Sequence, residues 1–193
     1  IGEKAFQPCS QLTTVEMPNS ITEMGKLAFY MDFKLSNITL SNGLSKIPRY
    51  CFAGCSFIEI DIPNGVKTLE EGAFSGCDSL TTINIPSSLT TVNSSAFNGN
   101  KNLININIAK GNTNFTFSNG ILLGDNGTTI KLILESAIDG NTFTVPEGVT
   151  MLTTDQLNAF PNVTSVKIPA SVTSLSATFI NRYITNVEID SNN

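Results

Sequence analysis

Residues 69–86 read LEEGAFSGCDSLTTINIP, and their pattern of apolar residues recurs along most of the 193-residue chain. Ile83 and Ile85 alternate with polar residues, which is the pattern of a strand with one buried face. Pro86 follows them and predicts the end of that strand, because proline has no amide hydrogen to donate. Equivalent segments recur at intervals of about 23 residues. A repeat of that length predicts a solenoid of stacked coils.

The strand signature is a pair of apolar residues two positions apart, and it recurs throughout the sequence. Its members are Val15 and Met17, Ile38 and Leu40, Ile60 and Ile62, Ile83 and Ile85, Ile106 and Ile108, Phe143 and Val145, Val166 and Ile168, and Val187 and Ile189. A second apolar column holds Phe6, Phe29, Phe52, Phe74, Phe97 and Leu157, and we expect it to be the main packing spine. Because one coil cannot bury a core alone, stability must come from neighbouring coils.

Residues 110–142 interrupt the repeat by adding about 14 residues to one coil. Within them, Ile121–Leu123 and 129–134 flank GDNG (124–127), a strong hairpin turn signal. We interpret this segment as one enlarged coil that contains a hairpin. The prediction is therefore an α/β solenoid, a right-handed superhelix of about eight coils with one parallel sheet and short helical or irregular turns opposite. We expect residues 1–193 to form a single domain.

Three units resemble a known family closely: IGEKAFQPCSQLTTVEMP (1–18), LEEGAFSGCDSLTTINIP (69–86) and VNSSAFNGNKNLININIA (92–109). They are similar to the BspA-like branch of the leucine-rich repeats, whose pattern runs roughly I-G-x-x-A-F-x-x-C-x-x-L-x-x-I-x-I-P. The match is tight over residues 1–109 and loose over 143–189. The chain starts at IGEKAF without an initiating methionine, so we expect a fragment of a longer protein.

The composition excludes several classes of function. The chain has no histidine, which removes histidine-dependent catalytic triads and imidazole metal ligands. Its net charge of −5 and pI of about 4.6 argue against electrostatic binding to nucleic acid or to an anionic membrane. No stretch approaches the roughly 20 apolar residues of a membrane span. We therefore expect no catalytic residue, metal or cofactor, no nucleic-acid partner and no membrane insertion by this part of the protein.

The cysteines offer one alternative to that view. Cys51 and Cys55 form a CxxxC pattern that invites a redox or metal-binding interpretation. Both fall in columns expected to face inward, where a free cysteine packs as a small apolar residue. Cys55 and Cys77 lie on adjacent predicted coils, close enough in principle for a disulfide. We favour buried free thiols and leave the crosslink open.

Acidic residues occupy exposed strand positions. Glu59 and Asp61 could be mistaken for the carboxylate pair of a glycosidase. An open sheet offers no cleft to desolvate either group, so we interpret them as part of a solvated face. Together with Glu16 they are included in the candidate contact surface.

One coil departs from the repeat by placing large apolar side chains where other coils have small or polar ones. Tyr30, Met31 and Phe33 are these residues, and Tyr50 of the next coil is expected to join them. Exposed apolar patches mark contact surfaces, and aromatic residues are enriched there. The alternative is that these side chains shield a neighbouring coil.

The resemblance implies a cell-surface or secreted protein that binds other proteins, in the manner of an adhesin. Its partner would be a host or microbial surface protein, including extracellular matrix, with a glycan as an alternative. A structural spacer in a surface protein is the competing hypothesis. Nothing in the sequence supports an enzyme.

Overall fold

The computed structural model describes residues 1–152, 156–176 and 182–190. The chain divides into two compact units, Ile1–Asn114 and Phe115–Asn193. Both are built of β-solenoid turns, about seven in all, against the eight predicted. Helix is nearly absent: the described residues contain two short 3-10 helices, Glu135–Ala137 and Gln156–Ala159.

The first unit consists of short strands connected by turns. They are β1 (Thr14–Glu16), β2 (Asn37–Thr39), β3 (Lys46–Ile47), β4 (Glu59–Asp61), β5 (Thr68–Leu69), β6 (Thr82–Ile85), β7 (Thr91–Val92) and β8 (Asn105–Ile108). β1 pairs with β2, and β4, β6 and β8 form a parallel sheet in that order. Ile83 stands opposite Ile60 on one side and Ile106 on the other, which is the register that the repeat predicts.

The parallel strands are divided among several sheets instead of forming one continuous sheet. Within the described residues, β2 and β4 are not paired. The break falls at the one coil of unit 1 that is a residue short: Cys55 and Phe57 are two positions apart, whereas the equivalent Cys77 and Leu80 are three apart. Losing one residue shifts the strand relative to its neighbour, and parallel pairing depends on register.

A second parallel ladder, which the sequence analysis did not predict, joins β3, β5 and β7. Ile47 stands opposite Leu69, and Leu69 opposite Val92. Each of these strands has two residues, of which one is buried. A strand that short has no alternation for a sequence pattern to reveal.

The phenylalanine column forms the packing spine, as predicted. The rings of Phe29, Phe52, Phe74 and Phe97 stack at centroid separations of 5.4, 5.4 and 6.0 Å. All four side chains are buried, whereas Phe6, stacked on Phe29 at 4.9 Å, is 38% exposed. Offset stacking adds to the burial of apolar area.

Side chains also connect one coil to the next at the repeat spacing. The Ser88 hydroxyl accepts a hydrogen bond from the Gly65 amide at 3.0 Å and donates one to the Val66 carbonyl at 2.9 Å. Asn100 accepts from the Cys77 amide at 2.8 Å. The turns opposite the sheet are therefore connected between coils by hydrogen bonds as well as by packing.

The second unit contains the predicted hairpin. Its strands are β9 (Thr116–Ser118), β10 (Ile121–Gly124), β11 (Thr129–Ile133), β12 (Ile138–Asp139), β13 (Thr142–Thr144), β14 (Met151–Leu152), β15 (Ser165–Ile168), β16 (Ser174–Leu175) and β17 (Asn186–Ile189). β10 and β11 pair in antiparallel fashion, and β9 adds a third strand that the sequence did not predict. β11, β14 and β16 form a second parallel ladder here too.

The strand signature holds in the second unit, with one difference in burial. β13, β15 and β17 pair in parallel, and Phe143 and Val166 are fully buried. Val187 and Ile189 were expected on the buried face but are 37% and 56% exposed. β17 is the last strand of its sheet in the described part of the chain, so these side chains have packing neighbours on one side of the ladder.

Candidate contact surface

The cysteines pack as the repeat predicts. Cys51, Cys55 and Cys77 are buried free thiols, and Cys9 is half-buried. The Cys55 thiol donates to the Phe29 carbonyl at 3.3 Å, and the Cys77 thiol donates to the Phe52 carbonyl at 3.2 Å. Burial raises the pKa of Cys77 to about 12 and raises that of Cys55 well above its ordinary value. Burial therefore favours the protonated thiol, which is the less reactive form.

Asp32 occupies the cysteine column in the second coil. Its Oδ1 accepts a hydrogen bond from the Cys9 amide at 2.6 Å, just as Asn100 accepts from Cys77. The side chain is fully buried, and Oδ2 has no hydrogen-bond partner in the described part of the protein. Burial raises the pKa of this carboxyl, and the Cys9 hydrogen bond offsets only part of that effect.

The four apolar residues singled out in the sequence, Tyr30, Met31, Phe33 and Tyr50, are named here the aromatic cluster. The Tyr30 and Tyr50 rings meet edge to face, 6.5 Å apart at 74°. Phe33 is 61% exposed and Met31 is 37% exposed, while both tyrosines are half-buried. The structure therefore brings the two tyrosines into contact and leaves Phe33 facing solvent.

Two glycines of the following coils leave room for the cluster. A Cβ built on Gly54 would stand 2.9 Å from Met31 Sδ and 3.6 Å from a Phe33 ring carbon. A Cβ built on Gly72 would stand 2.1 Å from Tyr50 Cε1, so that ring lies directly on the glycine backbone. Met31 and Tyr50 therefore do cover the next coil in part, as the shielding alternative expects. That alternative leaves the exposure of Phe33 unexplained.

The backbone of the cluster is strained at Met31. Its φ is +64°, in the left-handed region, and the next three coils fill this column with Gly54, Gly76 and Gly99 at φ between +63° and +80°. A side chain in that conformation costs roughly 1–2 kcal/mol relative to right-handed backbone. Tyr50 is also left-handed, at φ +50°. Strained residues concentrate at functional sites, so Met31 is a candidate for a role beyond folding.

A polar network, which the sequence analysis missed, borders the cluster. The Arg49 guanidinium lies 5.2 Å from the Tyr50 ring centroid and forms an ion pair with Glu71, at 3.1 Å between Nε and Oε2. The Tyr50 hydroxyl donates to Glu71 Oε1 at 2.9 Å, and this hydrogen bond raises the pKa of Tyr50. Arg49 and Glu71 are 22 residues apart, about one coil, and that spacing was the available signal.

The three carboxylates of the candidate surface do not form one group. Asn84 donates from Nδ2 to Glu59 Oε1 and to Asp61 Oδ1, both at 2.6 Å. Asn107 in turn donates to Asn84 at 2.7 Å, so this strand face is a chain of polar side chains. Glu16 lies on β1, in a different sheet. No hydrogen bond or ion pair within the described residues joins these carboxylates to the aromatic cluster.

Comparison with protein families matches residues 1–121 to the BspA type leucine-rich repeat region, in six copies. The chain belongs to this family. Its members are generally non-enzymatic. No curated protein matches the chain. Among the residues that the structure describes, no helix is long and apolar enough to cross a membrane, and no group of three His, Cys, Asp or Glu side chains is arranged to hold a metal ion.

Solved structures share the fold. A leucine-rich repeat protein from Eubacterium ventriosum superposes with a TM-score of 0.70 at 17% identity, covering 96% of this chain and 62% of that one. The pneumococcal vaccine antigen PcpA gives 0.67 at 18% identity, covering 92% and 50%. A leucine-rich cell surface protein from Faecalibacterium prausnitzii gives 0.50 at 24% identity, covering 97% and 64%. The chain thus spans between half and two thirds of the length of these three proteins.

Proposed function

We propose that this chain is the non-catalytic binding region of a cell-surface or secreted protein, and that it attaches to a protein on a host or microbial surface or in the extracellular matrix. The aromatic cluster is the observation that supports this proposal. It exposes Phe33 and Met31 at positions that other coils give to small or polar residues, and Met31 keeps a strained backbone there. Family membership and a structural neighbour described as a cell surface protein favour the location.

The contact surface in this proposal consists of the aromatic cluster, with Glu16, Glu59 and Asp61 as additional polar positions. The carboxylates lie on strand faces apart from the cluster, and we expect their contribution to be small. We retain the proposal that residues 1–193 are a single leucine-rich repeat domain.

Binding is tested by probing an array of extracellular-matrix proteins and glycans with the purified chain. We expect saturable binding to at least one protein. A matched chain in which Phe33 and Met31 are replaced by Ser and Gly, residues found in the equivalent columns, should bind more weakly. A chain that binds no protein on the array contradicts the proposed function. Binding to a glycan alone would then favour a glycan-binding module, and no binding at all would favour a structural spacer.

A further inference from the structure

The segment that presents Met31 and Phe33 is held by both neighbouring coils. The Met31 amide donates to the Ala53 carbonyl at 2.8 Å, and the Phe33 carbonyl accepts from the Ser56 hydroxyl at 2.6 Å. Between them Asp32 points inward and accepts from the Cys9 amide on the preceding coil. The backbone under the exposed side chains is therefore fixed before any partner arrives. A fixed contact surface loses little conformational entropy on binding.

The polar groups of Arg49, Tyr50 and Glu71 beside the cluster bond to one another. Arg49 contacts Glu71 through Nε and Nη2, and Glu71 Oε1 also accepts from the Tyr50 hydroxyl. The charges of Arg49 and Glu71 offset each other, so this pair adds no net charge beside the cluster. Lys34, next to Phe33, is one exposed positive charge and is hydrogen-bonded to the neutral Gln11 at 2.8 Å. Sugar hydroxyls require free donors and acceptors, and this network offers few of them.

What the cluster presents to solvent is therefore ring and thioether surface. Aromatic residues, Met and Arg are the residue types enriched at the centres of protein–protein interfaces. Tyr and Arg dominate the small number of residues that contribute most of the binding free energy. Phe33, the most exposed of the set, is positioned to enter a pocket or groove on the partner.

From these contacts we infer that the aromatic cluster recognises an uncharged, apolar segment of a polypeptide. The inference rests on the contact role proposed above and adds the chemistry of the partner. It favours a polypeptide over a glycan because Arg49, Glu71 and the Tyr50 hydroxyl are already bonded to one another.

The test is selection of a random dodecapeptide library, displayed on phage, against the purified chain. Selected peptides are synthesised and their affinities measured by titration calorimetry with the wild-type chain and with Phe33→Ser, Met31→Gly and Ile104→Thr. Ile104 is 73% exposed and lies outside the cluster, and Thr81 fills its column one coil earlier, so Ile104→Thr is the matched control. Thermal unfolding of each variant verifies that it is folded.

We expect the selected peptides to be apolar and uncharged, and to lose at least about tenfold in affinity with Phe33→Ser and with Met31→Gly but not with Ile104→Thr. Affinity should change less than about twofold between 50 and 500 mM NaCl, because salt screens only charged contacts. Peptides that still bind Phe33→Ser and Met31→Gly normally, or whose binding weakens strongly with salt, would overturn the inference.

Two parallel measurements test whether the cluster binds a different ligand. Binding to a glycan array that Phe33→Ser abolishes would show that the cluster is a sugar site. Concentration-dependent self-association in sedimentation, lost in the same variant, would show that a second copy of the chain occupies it. Either result overturns the polypeptide inference while leaving a binding role intact. The proposed function itself fails if the chain binds no protein on the array.

Discussion

Asp32 Oδ1 accepts a hydrogen bond from the Cys9 amide at 2.6 Å, and Asn100 repeats this contact with Cys77 three coils later. An acid and an amide thus fill the same buried column with the same hydrogen bond. They differ in charge, since the amide is neutral and the carboxyl can ionise where its second oxygen has no partner in the described structure.

Replacing Asp32 by Asn should stabilise the protein at neutral pH. Burial raises the folded-state pKa of Asp32 above its unfolded value, so the folded state favours the protonated acid. That preference stabilises the fold at low pH and is lost as the pH rises through the folded-state pKa. We expect the free energy of unfolding of Asp32→Asn to exceed that of wild type by about 1 kcal/mol at pH 7. The difference should shrink as the pH falls and approach zero near about pH 3, below the unfolded pKa of 3.8.

Urea titrations at the two pH values measure this difference. Asp78→Asn is the control, because Asp78 is exposed and lies just after the Cys77 position of the same column. It should change stability by less than about 0.5 kcal/mol at either pH. A stabilisation of Asp32→Asn that grows as the pH falls would show that the sign of the pKa shift is wrong.

Phe74→Ala should cost roughly 3–5 kcal/mol, the range for removing a buried aromatic ring. Phe74 is fully buried and stacks between Phe52 and Phe97. Phe33→Ala is the matched control: it deletes the same atoms from a side chain that is 61% exposed, and should cost less than about 1 kcal/mol. Denaturant titration distinguishes the two, and equal losses would contradict the packing described for the spine.

Cys77 should resist alkylation in the native protein. Burial excludes the reagent, and the pKa of about 12 leaves almost no thiolate at pH 8. Half-buried Cys9 should be labelled first with iodoacetamide, followed by the remaining thiols on unfolding. Mass spectrometry of the native and denatured protein reads out the order. Early labelling of Cys77, or a Cys55–Cys77 crosslink, would reopen the disulfide interpretation.

Glu71→Gln should lower the pKa of Tyr50 towards its ordinary value. The hydrogen bond to Glu71 is the main cause of the raised Tyr50 pKa, and a neutral amide interacts less strongly with the phenol. Ultraviolet titration of the tyrosinate band follows this change, with Tyr50→Phe assigning the band among the three tyrosines. Glu70→Gln, at the neighbouring residue, should leave the curve unchanged. An identical titration in Glu71→Gln would mean that the hydrogen bond is absent in solution.

The strand repeat and its register were predictable because each coil repeats the same inward positions. The repeat spacing alone places Ile83 between Ile60 and Ile106 on the neighbouring strands. The ladder of β3, β5 and β7 was not predictable, since two-residue strands contain no periodicity. Neither was the break between β2 and β4, where a single missing residue changes hydrogen-bond pairing but leaves the apolar pattern intact.

The aromatic cluster was visible in the sequence as departures from the repeat, because large apolar residues replaced small or polar ones at Tyr30, Met31 and Phe33. The network of Arg49 and Glu71 was not, since charged residues are common on turns and only geometry shows that Tyr50 lies between them. Asp32 was assigned to its column, but the sequence did not show that its Oδ2 is buried without a hydrogen-bond partner in the described structure.

The hydrogen bonds that join consecutive coils of the first unit, such as Ser88 with Gly65 and Asn100 with Cys77, also determine how that unit yields to mechanical force. Bonds of this kind lie in series along the stacking direction, so tension applied there would load every junction equally, and the junction with the weakest contacts would open first. Each coil that unfolds would contribute about 23 residues, or roughly 80 Å of extended chain. A stack of coils built this way would lengthen in steps, and the coils that are still folded would keep their structure.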